Sequence, residues 1–448
     1  MRNVIKYTGI LVLLLFNASA SGQTNRIEFQ EFDLDNGLHV ILHRDNSSPI
    51  VAINITYHVG SKNEQPDRTG FAHFFEHLMF EGSENIQRGD FDNYVQNAGG
   101  VNNAGTSFDY TMYYEILPSN QLKLGLWLES ERLLHLRIDS VGVETQRNVI
   151  KEERRERYDN QPYMSFLEEV FSNSFRVHPY RWVPIGNIQY IDQARLPEFI
   201  DFHDHFYVPG NAVLVIAGDI DYQTTRTLVE DYFGDIPAGR HDIYRPDIEE
   251  PPSTEEVRKI VYDNIQLPAV FTAYRMPGMG DPDSYALGML QTLLAGGESS
   301  RLYKSLVDRK QIALETSAVP LTLEDAGLFI VYGIANMGVP VEDVEAAMEE
   351  EIQKVKDEGL TDREFQKLVN RTENDFISQN TTMAGISENL ASYYTFYRDP
   401  GRINTEINQY LAVTPEDIVD VAKRYLVPEN RVVLHYLPKE NDQSSPTP

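Results

Sequence analysis

His73, Glu76 and His77 stand in the order His-x-x-Glu-His within the segment Phe71 to Phe80. On a helix turning 100° per residue the two imidazoles lie about 40° apart and one turn separated, so both reach one ion. Glu76 points to a neighbouring sector, where it addresses a metal-bound water rather than the metal. The chemistry this implies is hydrolysis. Amide cleavage at neutral pH needs hydroxide, and water on zinc has a pKa of roughly 7, which makes Glu76 the candidate general base.

A catalytic zinc takes a third protein ligand. A helix over Val143 to Asp159 offers one. With Val149 at 0° and Ile150 at about 100°, Glu153 falls between these two apolar residues and Glu152 on the polar side. Glu153 is the candidate and Glu152 the fallback. The alternative is that Glu153 only pairs with Arg154 or Arg157 in a charged surface helix.

The elements that must carry these residues recur along the chain. Phe206 to Ile216 resembles Tyr425 to His435, with Pro209 aligned to Pro428, an offset of 219 that also carries Pro49 onto Pro268. Each half starts with strands and ends with a helix, a Pro-Asn turn and a β-branched strand, an α+β pattern. Asn36-Gly37 between Phe32-x-Leu34 and Leu38-x-Val40-x-Leu42 predicts a tight hairpin and an antiparallel sheet. The expected division is a signal peptide at 1–22, an N-terminal metal-binding domain at 23–235 and an extended, proline-rich linker at 236–256. A homologous C-terminal domain at 257–438 and a disordered tail at 439–448 follow. At the metal motif the offset places Thr292, Ala295 and Gly296 opposite His73, Glu76 and His77, so the second half cannot repeat the site.

Composition narrows the classes. With 39 basic against 68 acidic side chains the formal charge is -29, which repels phosphate backbones and excludes nucleic acid as a partner. The absence of cysteine removes disulfides, thiolate zinc sites and cysteine nucleophiles, leaving nitrogen and oxygen as metal donors. The first 22 residues read as a cleaved secretory signal and no later stretch spans a bilayer, so the mature protein is expected in the periplasm or secreted.

His-x-x-Glu-His with a Glu 76 residues after the second His, the Asn-Gly hairpin, Gly99-Gly100 and two tandem halves resemble the inverse zincins of the insulinase and pitrilysin family. Its smaller members include mitochondrial processing peptidase. The resemblance implies that family's metallohydrolase fold, two tandem α/β-sandwich halves each with an antiparallel sheet and helices. It implies one Zn2+ per chain held by His73, His77 and Glu153, Glu76 as general base, and a zinc endopeptidase acting on short or unfolded peptides. It also implies an edge strand at Asn103, Ala104, Gly105 and Thr106 that pairs with substrate main chain. A helical Glu typical of relatives, seven residues before the distal ligand, is Gln146 here. Relatives carry an Arg and a Tyr in the second half that contact the oxyanion; those positions read Asp308 and Glu315, and nearby Arg301 and Tyr303 are too closely spaced to replace them. The expected partner is therefore a homologous chain supplying Arg and Tyr in a heterodimer. The rival readings are a noncatalytic scaffold subunit of the same fold and a maturation protease for one dedicated peptide. His203-x-His205, taken as an alternating strand, is read as a packing or surface pair.

Overall fold

The computed structural model describes residues 26–439; the signal-like segment 1–22 and the tail beyond Lys439 lie outside the described residues. Strands β1 (Gln30–Asp33), β2 (His39–Arg44), β3 (Ile50–Tyr57), β4 (Val101–Thr106), β5 (Thr111–Pro118) and β6 (Ala212–Gly218) form one sheet in the order β1-β2-β6-β3-β5-β4. Strands β7 (Val257–Asp263), β8 (Ala269–Pro277), β9 (Ala313–Thr322), β10 (Ala326–Ala335) and β11 (Arg431–Pro438) form a second, ordered β7-β11-β8-β10-β9. Without β1 the two orders correspond strand for strand, and β3 with β8, like β6 with β11, begin 219 residues apart.

The sheets are mixed rather than wholly antiparallel. β6 runs parallel to β2 and β11 parallel to β7, while the other pairs are antiparallel. In each half the last strand returns from a long helical excursion and inserts between the first two core strands, so it must run with one of them and against the other. The β1–β2 hairpin closes through Leu34 to Leu38, with Asp33 opposite His39. Gly37 takes φ +88°, a left-handed conformation that L side chains rarely adopt. The Asn36 amide donates to the carbonyls of Phe233 and Ile236 at 2.8 and 2.9 Å, tying the hairpin to the end of the first half.

The two halves exchange a helix. Helix Phe166–Ser174, from the first half, lies on β8 and β11 of the second sheet. Phe166 stacks on Phe271 at 4.6 Å, and the Ser165 and Tyr436 hydroxyls meet at 2.8 Å. Reciprocally, helix Met383–Tyr397 from the second half covers β3 and β6, packing Ile386, Leu390 and Ala391 over Ile41, Val213, Val215 and Ala217. Tyr394 stacks on His39 at 3.4 Å. One continuous core therefore contains side chains of both halves, Phe171 and Tyr180 with Phe271 and Tyr436. Each such large side chain contributes about 1.5–3 kcal/mol on burial.

Residues 236–256 carry no helix or strand, and they are fastened along their length. The Tyr244 carbonyl accepts from Asn63, Arg245 donates to the His58 carbonyl, and the Glu250 carboxylate accepts the N–H groups of Arg176, Val177 and His178. His203 and His205 lie on helix Leu196–Phe206, not on a strand, so the i, i+2 spacing turns their rings apart. His203 stacks on Tyr207 and His205 on His241, which agrees with the packing and surface reading.

Candidate metal centre

Helix Phe71–Leu78 buries Phe71, Phe74, Phe75 and Leu78, the i, i+3, i+4, i+7 stripe, with the phenyl rings of 71, 74 and 75 against Phe199. That stripe fixes the helix rotation and leaves His73, Glu76 and His77 on its other side. The helix begins at Gly70, φ +97°, where a Cβ would stand 2.9 Å from Ile191 and 3.1 Å from the Ile185 carbonyl. Its first amides are capped from a distance. Glu64 accepts from Gly70 N at 2.9 Å and Ala72 N at 2.8 Å, satisfying orphan donors of the first turn. Burial pushes the Glu64 carboxyl up to about 8, against the pull of those amides.

The expected helix at 143–159 is helix Ser140–Arg154 followed by a wider π-type turn, Arg155–Asp159. Asp139 caps its start by accepting from Gly142 N at 2.8 Å. Its inward face is Val143, Arg147 and Ile150; Val149 is 43% exposed, so the angular argument placed it on the wrong side. Glu153 still faces inward because it lies one turn beyond Ile150 on the same face. Glu152 is exposed and pairs with Arg155 at 2.5 Å.

The two helices pack together and bring one donor atom each of His73, His77 and Glu153 within 4.8 Å of one another. No other group of three potential metal donors is this close among the described residues. Glu153 Oε2 lies 3.1 Å from His77 Nε2 and 3.6 Å from His73 Nε2. The surface pairing weighed as an alternative coexists with this arrangement, since Arg157 holds the other oxygen, Oε1, at 2.7 Å. Glu153 Oε2 and His73 Nδ1 are buried and have no hydrogen-bond partner. An orphaned carboxylate oxygen facing two imidazole nitrogens fits a divalent cation, and a two-histidine, one-carboxylate donor set fits zinc.

Electrostatics agrees with that donor set. Burial, reinforced by His77, pushes the His73 ring down to about 4, so it is neutral as a ligand must be. The close approach of His77, with His73 and Arg157 adding to it, holds the Glu153 carboxyl below the usual range. Burial raises Glu76, while the neighbouring Thr106 pulls it back down.

Asn103, Ala104, Gly105 and Thr106 lie on β4, the outermost strand, paired on one side only with Tyr114, Tyr113, Met112 and Thr111 of β5. β4 packs beside the His73 helix, and a Cβ on Gly105 would meet nothing within 4 Å. Gln146 donates to Glu81 at 2.5 Å. In the second half Thr292 and Ala295 end helix Pro282–Ala295 and Gly296 follows it; Arg371 donates to the Gly296 carbonyl. Arg301 is engaged by Glu364 and the Gly359 carbonyl, and Glu315 accepts from the Tyr332 hydroxyl. The sequence reading missed Glu64 and gave Arg157 only as an alternative. Glu64 acts across the five residues that separate it from Gly70, which leaves no periodic signal.

The model of the insulinase peptidases, family M16, matches residues 39–182, and that of the M16 inactive domain matches residues 194–372. The second match starts within the first half, so it does not begin where the first sheet ends. Zinc protease PqqE of Helicobacter pylori is 30% identical over 418 residues, covering 93% of this chain and 94% of that one. The crystal structure of a protease from Helicobacter pylori superposes with a TM-score of 0.88 at 29% identity, over 92% of this chain and 100% of that chain. The periplasmic protease PqqL from Escherichia coli shares the fold, TM-score 0.75 at 19% identity, with 92% of this chain covering 48% of that one. Two repeated mixed sheets, with His, His and Glu side chains brought together on paired helices, make the fold this chain shares with these peptidases. The chain belongs to the insulinase family, peptidase family M16.

Proposed function

We propose that the protein is a zinc-dependent endopeptidase that hydrolyses short or unfolded peptides after export, in the periplasm. The observation that carries this is the convergence of His73, His77 and Glu153 beside Glu76. His73, His77 and Glu153 would hold the ion. Bound zinc supplies a Lewis acid and lowers the pKa of water to roughly 7. Glu76 takes the proton of the attacking water on its carboxylate and delivers it to the leaving amine nitrogen. Thr106, at the end of β4, neighbours Glu76 and favours its charged form. The outer edge of β4 receives an extended peptide as an added strand, so selection acts on main-chain extension more than on side chains. Arg157 holds Glu153 Oε1, leaving Oε2 to the metal side.

The oxyanion donors are assigned to a partner. Asp308 and Glu315 are acidic and Arg301 is spent on Glu364, which supports a heterodimer with a homologous chain that supplies Arg and Tyr. Such a donor is typically worth about 3 kcal/mol in the barrier. A digest of mixed peptides by purified protein, alone and with added partner, tests both parts. Cleavage abolished by a chelator and restored by Zn2+ supports the peptidase. No cleavage under any of these conditions, with zinc bound, favours the scaffold reading. An active homodimer removes the heterodimer.

A further inference from the structure

We propose that Lys62 is a positioning residue of this site and that the β9–β10 turn of the second half holds it in place through Glu324 and Asp325. The inference rests on the metal-site reading above. Lys62 is 3% exposed, and its ammonium faces three carboxylates: Asp109 at 3.1 Å, Glu324 at 2.6 Å and Asp325 at 3.0 Å. Asp109 comes from the β4–β5 turn, the other two from the second half. Around them the Tyr180 hydroxyl donates to Asp109 and accepts from Asp325 N, while Asp109 also accepts from Glu324 N. His58 Nε2 stands 2.9 Å from Glu324 and His178 Nε2 3.3 Å from Asp325.

The Lys62–Asp109 pair at the centre of this cluster is buried, and a buried ion pair is weak evidence for stability, because desolvation offsets much of the Coulomb gain, so the geometry is the more informative feature. Lys62 lies in the short turn Ser61–Asn63, two residues before Glu64, the distant cap of the His73 helix. Its own N–H bonds the Phe108 carbonyl at 2.8 Å, and Ser61 N bonds the Ser107 carbonyl at 3.3 Å. One ammonium thus joins the loop that starts the metal helix to the turn that ends β4. The half without a metal acts on the centre in the other half from outside its donor set. Removing the ammonium leaves three carboxylates facing one another, reduces the join of loop and turn to their two backbone bonds, and loosens the helix start that carries His73.

The test compares full-length wild type, Lys62→Met and Glu324→Gln by Zn2+ affinity against a chelator, by amide hydrogen exchange and by thermal melting. The expected result for Lys62→Met is a loss of roughly tenfold or more in Zn2+ affinity, the range seen when groups outside a donor set are removed. Exchange should rise across 59–78 and 101–110 while β2 and β6 keep their rates. Glu324→Gln, which leaves the other two carboxylates and the ammonium, should move both readouts in the same direction by a smaller factor, and it decides the matter if Lys62→Met does not fold. Wild-type affinity with unchanged exchange at 59–78 overturns the proposal. So does a uniform rise in exchange over both sheets with a lower Tm, which marks a plain stability role. If the wild type binds no Zn2+, the metal-site reading fails, and exchange at 59–78 alone still decides whether Lys62 positions the helix.

Discussion

Two helix pairs occupy corresponding places in the two halves. Phe71–Leu78 with Ser140–Arg154 brings three candidate metal ligands together, whereas Pro282–Ala295 packs against Asp362–Gln379 without such a group. In both, the end of the first helix approaches the second closely. In the first pair the approach is made by His73, His77 and Glu153; in the second the guanidinium of Arg371 reaches the Gly296 carbonyl. The first pair continues into a π-type turn that returns Arg157 onto Glu153, while the second runs unbroken to Gln379. The fold therefore supplies proximity twice, and only one pair has side chains that could hold a metal there.

The sharpest way to break this contrast is to disarm the first pair. Glu76→Gln should keep one Zn2+ per chain, measured by elemental analysis, and lose roughly 10²–10⁴-fold in peptide hydrolysis. Retained turnover would remove Glu76 as base. Glu153→Ala should abolish stoichiometric Zn2+ and activity together, leaving Arg157 without its partner. Grafting the motif onto the second pair should fail: Thr292→His with Gly296→His is expected to bind no Zn2+ beyond the one equivalent of the first pair, because position 296 lies past the helix end and Arg371 occupies its carbonyl.

Smaller effects sharpen the comparison. Glu324, from the second half, is held down to about 2: burial, which raises it, is outweighed by His58 and Lys62. Burial keeps the His58 ring below its usual range, so at neutral pH Lys62 carries the charge in this contact. A depressed carboxyl contributes stability that is fully present above pH 4.5 and is lost as pH falls from there toward 2, here at most roughly 3 kcal/mol. Acid denaturation of wild type and Glu324→Gln should differ within that window, the mutant curve being the flatter. The smallest change is in the caps. Asp139 and Thr361 cap the two corresponding second helices, accepting from Gly142 N and Glu364 N. Asp139→Ala and Thr361→Ala should each cost about 1 kcal/mol in denaturant melts. Zn2+ binding should survive both.

Much of this arrangement was legible in the residues. The His-x-x-Glu-His spacing needs only helix periodicity, and the Pro-Asn segments at 209–211 and 428–430 revealed the repeat because each ends a helix and opens a strand. Glu153 was found by an argument partly wrong in its premise, since Val149 is exposed and Ile150 alone sets the face. The parallel pairs were not legible, because the order in which a returning strand inserts is a matter of long-range packing. Reading 203–205 as a strand failed for a local reason: alternation over three residues does not outweigh the capping contact of Glu198 with Arg195 that starts a helix. Glu64 and Lys62 act through loops and across halves, where no period survives.

The exchanged helices have a mechanical corollary. Because Phe166–Ser174 and Met383–Tyr397 each lie on the opposite sheet, severing the peptide bond anywhere between Ile236 and Glu256 breaks the tether but not the clasp. The nicked fragments should travel as one particle.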